Sequence, residues 1–169
     1  MKQIAKIAAI VGLFLYMGAA NAADLFSDAW MKAFGEAWNN EPALHEKLAK
    51  TDFSSTICYG FKGEDDPKGC LDVEDGKVTS AGAYSGEEEV DWDLRGEKDD
   101  WEKGLEEGSI GTTDFAPIFG NFKFNKGNYW DMAKNPSRVG PFMKSFKIMA
   151  TVTVEEDDTA EEATDNADD

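Results

Sequence analysis

The chain has 169 residues, with 34 acids against 17 Lys and Arg, and a formal net charge of −17. That balance excludes nucleic acid as a general partner, whose affinity rests on phosphate neutralisation by Lys and Arg, and it opposes stable attachment to an anionic membrane surface. Yet 41% of the residues are hydrophobic and 12% aromatic, which calls for a dense core or an apolar cavity beneath an acidic exterior.

Residues 1–22 read as a cleavable secretory signal. Lys2 and Lys6 form a positive start, residues 7–19 (IAAIVGLFLYMGA) an apolar run, and Ala20-Asn21-Ala22 the small-residue pattern of a signal peptidase site. The run is short for a membrane span. The expected product is cleaved after Ala22 and exported, and the short, Ala-rich signal points to the periplasm of a Gram-negative cell. At the other end, residues 155–169 hold nine acids and no base. Such a segment buries too little apolar surface to offset its ordering entropy, so disorder is expected. Its spacing is not that of a calcium-binding loop. Without Lys2 and Lys6 the charge is 15 bases against 34 acids, or −19; without the nine tail acids it is −10 for residues 23–154. The organisation expected is a signal over 1–22, one domain over 23–154 and an acidic tail over 155–169.

Within the domain, residues 24–38 place Phe26, Trp30, Ala33, Phe34 and Ala37 at helical spacing, with Asp24 as a candidate cap. Residues 41–50 read as a second short helix, with Pro42 in its first turn and Leu44 and Leu48 on one face. The period then becomes two. In residues 53–61, Phe53, Ile57, Tyr59 and Phe61 alternate against Cys58; in residues 70–73, Leu71 and Val73 alternate against Cys70. As a hairpin, the two runs bring both cysteines to the same outer face, and in an oxidising compartment a Cys58–Cys70 disulfide is expected. Asp75-Gly76 is a tight-turn signal leading to a third strand over 78–84. The fourth strand, over 89–95, alternates Val90, Trp92 and Leu94 with Glu89, Asp91, Asp93 and Arg95, which puts Asp91 and Asp93 on a solvent face. Four strands in succession predict an antiparallel meander with one apolar face.

Residues 97–107 predict a short helix centred on Trp101 and ended by Gly108. Another begins at Thr112 or Thr113, with Phe115, Ile118 and Phe119 as its apolar residues and Gly120 closing it. Phe122 and Phe124 alternate with lysines in a fifth strand. Residues 129–134 form one or two helical turns, ended before Pro136. Val139, Phe142, Met143, Phe146, Met149 and Ala150 then recur at three- and four-residue steps, giving a last amphipathic helix.

Catalytic patterns are missing. The one histidine, His45, lies on the polar side of a short helix, and no His or Cys cluster could hold a metal. There is no nucleophile elbow, no phosphate loop and no dinucleotide fingerprint. Carboxylates are so abundant that no pair stands out. No catalytic residue and no cofactor is expected.

From Phe53 onward, over residues 53–152, the order of motifs resembles the sterol carrier protein 2 family of lipid-binding domains. Val73-Glu74-Asp75-Gly76-Lys77 is similar to its V-x-D-G-K hairpin. Val90-Asp91-Trp92-Asp93-Leu94-Arg95 resembles the next stretch of sheet, and Asp100-Trp101 through Leu105 to Gly108 the short helix that follows. Phe122-Lys123-Phe124-Asn125-Lys126-Gly127-Asn128 resembles the final strand, and residues 129–150 fill the place of the closing helix. Two departures stand out. Asn135-Pro136-Ser137 and Gly140-Pro141 interrupt the closing region, and an acidic tail stands in place of a peroxisomal signal, so a peroxisomal role is not implied. The resemblance implies an α+β fold: a five-stranded, largely antiparallel sheet with helices packed on one face, enclosing an apolar tunnel. It implies non-covalent binding of a lipid-like molecule without a cofactor.

With helices over one sheet face, Trp92, Phe122 and Phe124 face Trp101, Phe115, Phe119, Phe142, Phe146 and Met149, and these residues with Trp130 are the expected tunnel lining. The leading expectation is a periplasmic carrier of a fatty acid, sterol-like or hopanoid lipid, or hydrocarbon, with transient membrane contact. Two alternatives stay open: a non-catalytic interaction module whose acidic tail docks a basic partner, and an enzyme acting on a lipid.

Overall fold

The computed structural model describes residues 25–154. The expected signal, the candidate cap Asp24 and the acidic tail lie outside the described residues. The sheet is built from β1 (Ser55–Phe61), β2 (Gly69–Glu74), β3 (Lys77–Ala83), β4 (Trp92–Gly96) and β5 (Phe122–Lys126). Helices α1 (Asp28–Asn39) and α2 (Pro42–Ala49) precede it, and α3 (Lys98–Glu106) and a 3-10 turn (Thr112–Phe115) stand between β4 and β5. Helices α4 (Tyr129–Ala133) and α5 (Pro136–Met149) follow. The fold is the expected α+β arrangement on a five-stranded sheet.

The strand order is β3-β2-β1-β4-β5. This corrects the predicted meander. β1–β2, β2–β3 and β4–β5 are antiparallel, but β4 lies parallel to β1 and does not pair with β3. The reason is that α1 already occupies the outer edge of β3. The Asn39 side chain donates to Val78 O (2.8 Å) and accepts from Val78 N (2.9 Å), as a neighbouring strand would, and the Ala83 amide donates to the Asp28 carboxylate (3.4 Å). An edge satisfied in this way offers no ladder to a further strand. The free edge of β1 takes β4 instead. There Asp91 accepts from Thr56 N (2.9 Å) and Ser55 Oγ (3.0 Å), fixing the register.

The hydrogen bond from Lys32, opposed by desolvation and joined by the Ala83 amide, holds the Asp28 carboxyl below its ordinary value. A carboxylate with a depressed folded-state value stabilises the fold above its unfolded value, and that contribution is lost as pH falls through the folded one. Acidification should therefore loosen the Asp28 contact with β3. The protection factor of the Ala83 amide, its exchange rate taken relative to the intrinsic rate at each pH, should fall at acid pH in the native chain, and the Asp28→Asn variant should lose most of that pH dependence.

Two cap assignments differ from the sequence reading. Ser27 caps α1, its Oγ accepting from Trp30 N (3.3 Å), and the preceding Phe26 takes a positive φ of 65°. The 3-10 turn starts after Gly111, whose amide donates to the Asp114 carboxylate (2.8 Å). The β2–β3 turn has φ of 47° at Asp75 and 82° at Gly76, the conformation that makes Asp-Gly favourable there. The Gly76 carbonyl accepts from Trp38 Nε1 (2.9 Å), and a Cβ on Gly76 would collide with His45 O and Ala49 N of α2. Gly76→Ala should lower stability by about 1–3 kcal/mol, combining φ strain with steric overlap, as read by urea unfolding.

The helices cover one sheet face, where Tyr59, Leu71, Leu94 and Phe122 are buried. On the opposite face Cys58 and Cys70 are register partners and form the expected disulfide, with Cα atoms 4.1 Å apart and a sequence separation of 12. Val90 packs over them. Replacing both cysteines with serine should lower stability by about 3 kcal/mol in the chain-entropy account, measurable by thermal unfolding under non-reducing conditions. Asp93 corrects the sequence reading: it is buried on this same face, not solvent-facing, because Arg95 two residues on neutralises it. Asp91 is exposed, as expected.

Candidate functional site

The expected lining residues divide into three groups. Trp101, Phe115, Phe122, Phe146 and Met149 are buried. Trp92, Phe124 and Phe142 are half-buried. Phe119 and Trp130 point outward, at 86% and 53% exposure. Phe119 departs from the inward face expected for it because the helical turn stops at Phe115. The chain leaves it at Ala116 with extended backbone, so the helical period no longer applies at 118 and 119.

Phe115 is the centre of the group. Its ring lies 5.2 Å from Phe122, 5.6 Å from Phe124, and 5.1 Å from both Phe142 and Phe146. The 3-10 turn brings Phe115 down between β5 and α5, since three residues per turn bury one side chain from a short segment. Trp101 extends the group to the middle of the sheet, 4.3 Å from Phe122 and 6.3 Å from Phe146, and its Nε1 donates to Gly60 O (3.0 Å). Gly96 on β4 makes room for both rings, since a Cβ there would fall 2.5 Å from Phe122 and 2.9 Å from Trp101.

Burial is uneven across this layer. Toward α1 the aromatic residues Phe26, Trp30, Phe34 and Trp38 are all fully buried. Toward β5 and α4, Phe124, Tyr129, Phe142 and Met143 remain half-buried. Phe61, Val78 and Ala81 are also half-buried on the α1 side, but the other half-buried aromatic rings of this layer gather at one corner, between the β5 edge, the 3-10 turn, α4 and the first half of α5. Pro141 lies inside α5, where it has no amide to donate. That missing bond falls beside Phe142, in the helix half that packs least tightly.

A cleft of about 340 Å³ adjoins this corner, lined by Ser54, Ser55, Asp91, Trp92, Asn128 and Asp131 together with Gly127. Trp92 belongs to both, as its ring packs 5.8 Å from Phe124. Asp91 Oδ2 is committed to Ser55 and Thr56, and the second carboxylate, Asp131, is exposed, so the cleft is an acidic hydrogen-bonding surface.

Sequence reasoning missed the N-terminal contribution to this layer. Phe26 stacks on Tyr59 at 5.6 Å and meets Trp101 edge-on at 5.1 Å. The helical spacing of α1 showed that it had an apolar face, but not what that face covers. Burial raises the Tyr59 phenol well above its ordinary value, so it stays protonated and does no acid–base work near neutrality. Among the described residues no group of three or more His, Cys, Asp or Glu could hold a metal, and no helix is long and apolar enough to cross a membrane.

The sheet order, the one-sided helical layer and the closing helix define a sterol carrier protein 2-like fold. The chain is similar to a crystal structure of sterol carrier protein 2, with a TM-score of 0.61 and 22% identity over 76% of this chain and 99% of the other. It is also similar to a solution structure of a conserved hypothetical protein from Thermus thermophilus, described as a candidate sterol carrier protein. That match has a TM-score of 0.57 and 19% identity over 78% and 93% of the two chains. No family model matches the sequence, and no curated protein matches it.

Proposed function

We propose that the protein is a non-catalytic carrier that holds a lipid-like molecule between the β5 sheet edge and α5. The observation that carries this reading is the aromatic corner, where Phe124, Tyr129, Phe142 and Met143 stay half-buried around the fully buried Phe115. A layer meant only as core would bury these rings as it buries Phe26, Trp30, Phe34 and Trp38. An apolar chain entering this corner would replace ring-to-ring contacts with ring-to-chain contacts and gain from leaving water, at roughly 25 cal/mol per Å² of apolar area. The adjacent cleft, reached through Trp92, holds Asp91 and Asp131 and no base, so it suits an uncharged polar end such as a hydroxyl, while a fatty acid would enter the corner tail first and keep its carboxylate in solvent. The fold supports lipid binding as the general activity. Residues 1–22 support export to the periplasm, and the Cys58–Cys70 disulfide fits an oxidising compartment.

Displacement of a fluorescent fatty acid tests the reading. The native chain should bind the probe and release it to unlabelled fatty acid. Phe142→Ala should change the affinity several-fold with the near-ultraviolet dichroism preserved, while Ser80→Ala, on the far strand of the sheet, should leave it unchanged. A native chain that takes up no probe would sink the carrier reading. An affinity indifferent to Phe142 would move the site elsewhere.

A further inference from the structure

Ile118 and Phe119 stand side by side at 82% and 86% exposure, on the loop between the 3-10 turn and β5. Two large apolar side chains this exposed cost solvation free energy unless something covers them. The loop is also held in shape. Gly120 N donates to Ala116 O (2.9 Å), the Asp114 carboxylate is engaged by Gly111 N, and buried Phe115 and Phe122 anchor it on either side. A tip ordered in advance loses little entropy when it docks. Tyr129 Oη donates to Thr112 O (3.4 Å), which seats the start of α4, with the half-exposed Trp130, beside the turn that carries the tip.

The charge of this part of the chain is opposite to the rest. Residues 115–154 hold six bases (Lys123, Lys126, Lys134, Arg138, Lys144 and Lys147) and one acid (Asp131), whereas residues 25–114 hold 23 acids against nine bases. Lys123, Lys126, Lys134 and Lys147 are exposed and form no ion pair among the described residues. An apolar tip followed directly by exposed Lys123 and Lys126 on β5 is a combination that attaches a protein to an anionic bilayer, by insertion of the tip and attraction of the headgroups.

We propose that Ile118 and Phe119 form a membrane-insertion tip and that its partner is a lipid bilayer bearing anionic headgroups. The net acidity of the chain keeps the contact transient, while Lys123 and Lys126, on the strand that follows the tip, add attraction to the headgroups. The proposal deepens the carrier reading and rests on it only for the purpose of docking: the tip leads back through Phe115 to the aromatic corner, so docking would bring the mouth of the binding site to the lipid.

Flotation with equimolar phosphatidylglycerol–phosphatidylcholine vesicles tests it. The full chain should float with the vesicles, and the Ile118→Ser/Phe119→Ser variant should bind at least about tenfold more weakly. An environment-sensitive dye on Phe119→Cys should shift to the blue on adding vesicles, while the same dye on Ser80→Cys should not. No flotation of the native chain, flotation undiminished by the double substitution, or an unshifted dye at 119 overturns the proposal. Self-association without lipid that the double substitution abolishes makes a second copy the partner and overturns it equally. Fatty-acid displacement on the same double variant keeps the two readings apart. Unchanged probe affinity with lost flotation supports the tip. A native chain that floats through the tip but binds no probe contradicts the carrier reading alone.

Discussion

Replacing Arg95 with methionine should lower stability by about 3–5 kcal/mol, the largest single effect expected at a charged position of this fold. Arg95 is 3% exposed and carries two jobs at once. Its guanidinium pairs with buried Asp93, Nη2 lying 2.9 Å from Oδ2. Its Nη1 donates to the carbonyls of Phe61 (3.3 Å), Glu64 (3.2 Å) and Asp66 (2.9 Å), closing the β1–β2 loop over the sheet end. Methionine keeps much of the length but none of the donors, so an uncompensated carboxylate and three carbonyls are left. Adding Asp93→Leu to Arg95→Met should recover a sizeable part of the loss, because it removes the orphaned charge. Urea unfolding of the two single variants and the double variant measures this. A loss under about 1 kcal/mol in Arg95→Met would show that the loop is held by other contacts.

Trp101→Ala should cost about 3–5 kcal/mol, and its comparison with two phenylalanine variants separates packing from hydrogen bonding. Trp101 is fully buried and meets Phe26, Tyr59, Phe122 and Phe146, so truncation opens a cavity where the two halves of the apolar layer join. Trp101→Phe refills most of that volume but leaves the Gly60 carbonyl without its donor, for an expected loss of about 1–3 kcal/mol. Trp30→Phe should cost less than Trp101→Phe. Its indole N–H is buried with no partner among the described residues, so losing it forfeits no hydrogen bond. Thermal unfolding of the three variants gives the order directly. Equal losses for the two phenylalanine variants would mean that the Gly60 bond contributes nothing.

The periodicity of the chain was a sound guide wherever one element faced one partner. The period-two runs located all five strands to within a few residues, and Asp75-Gly76 located its turn, because alternation and positive φ are local requirements. The disulfide was legible for the same reason: in a hairpin, Cys58 and Cys70 have one place to go. Strand order was not legible. Whether β4 joins β3 or β1 depends on Asn39 and Asp28 capping the β3 edge from a helix some forty to fifty residues earlier, and nothing local to either strand records that. Asp93 was misplaced because alternation marks a face as polar without saying whether it is wet; an arginine two residues on lets the carboxylate be buried.

The aromatic group was legible in composition and only partly in placement. Phe122, Phe124, Phe142 and Phe146 follow from strand and helix periods. Phe119 and Trp130 do not turn inward, because a 3-10 turn and a five-residue helix are too short for a period to orient their ends. Tyr59 was legible as part of the apolar face of β1, but its contact with Phe26 was hidden, because Phe26 lies just before α1, more than thirty residues away, and nothing local to either residue records the pairing. The interruptions at Asn135-Pro136 and Gly140-Pro141 also read differently in three dimensions. Asn135 caps α5, Pro136 opens it, and Pro141 is carried within it at the cost of one hydrogen bond.

Native mass spectrometry of the protein purified under mild, detergent-free conditions, followed by organic extraction, tests the central claim most directly. The carrier account predicts a discrete adduct that extracts as a lipid and is restored by adding fatty acid or hopanoid to the stripped chain. A clean apo mass, with no shift on adding either, would contradict it and make the aromatic corner plain core.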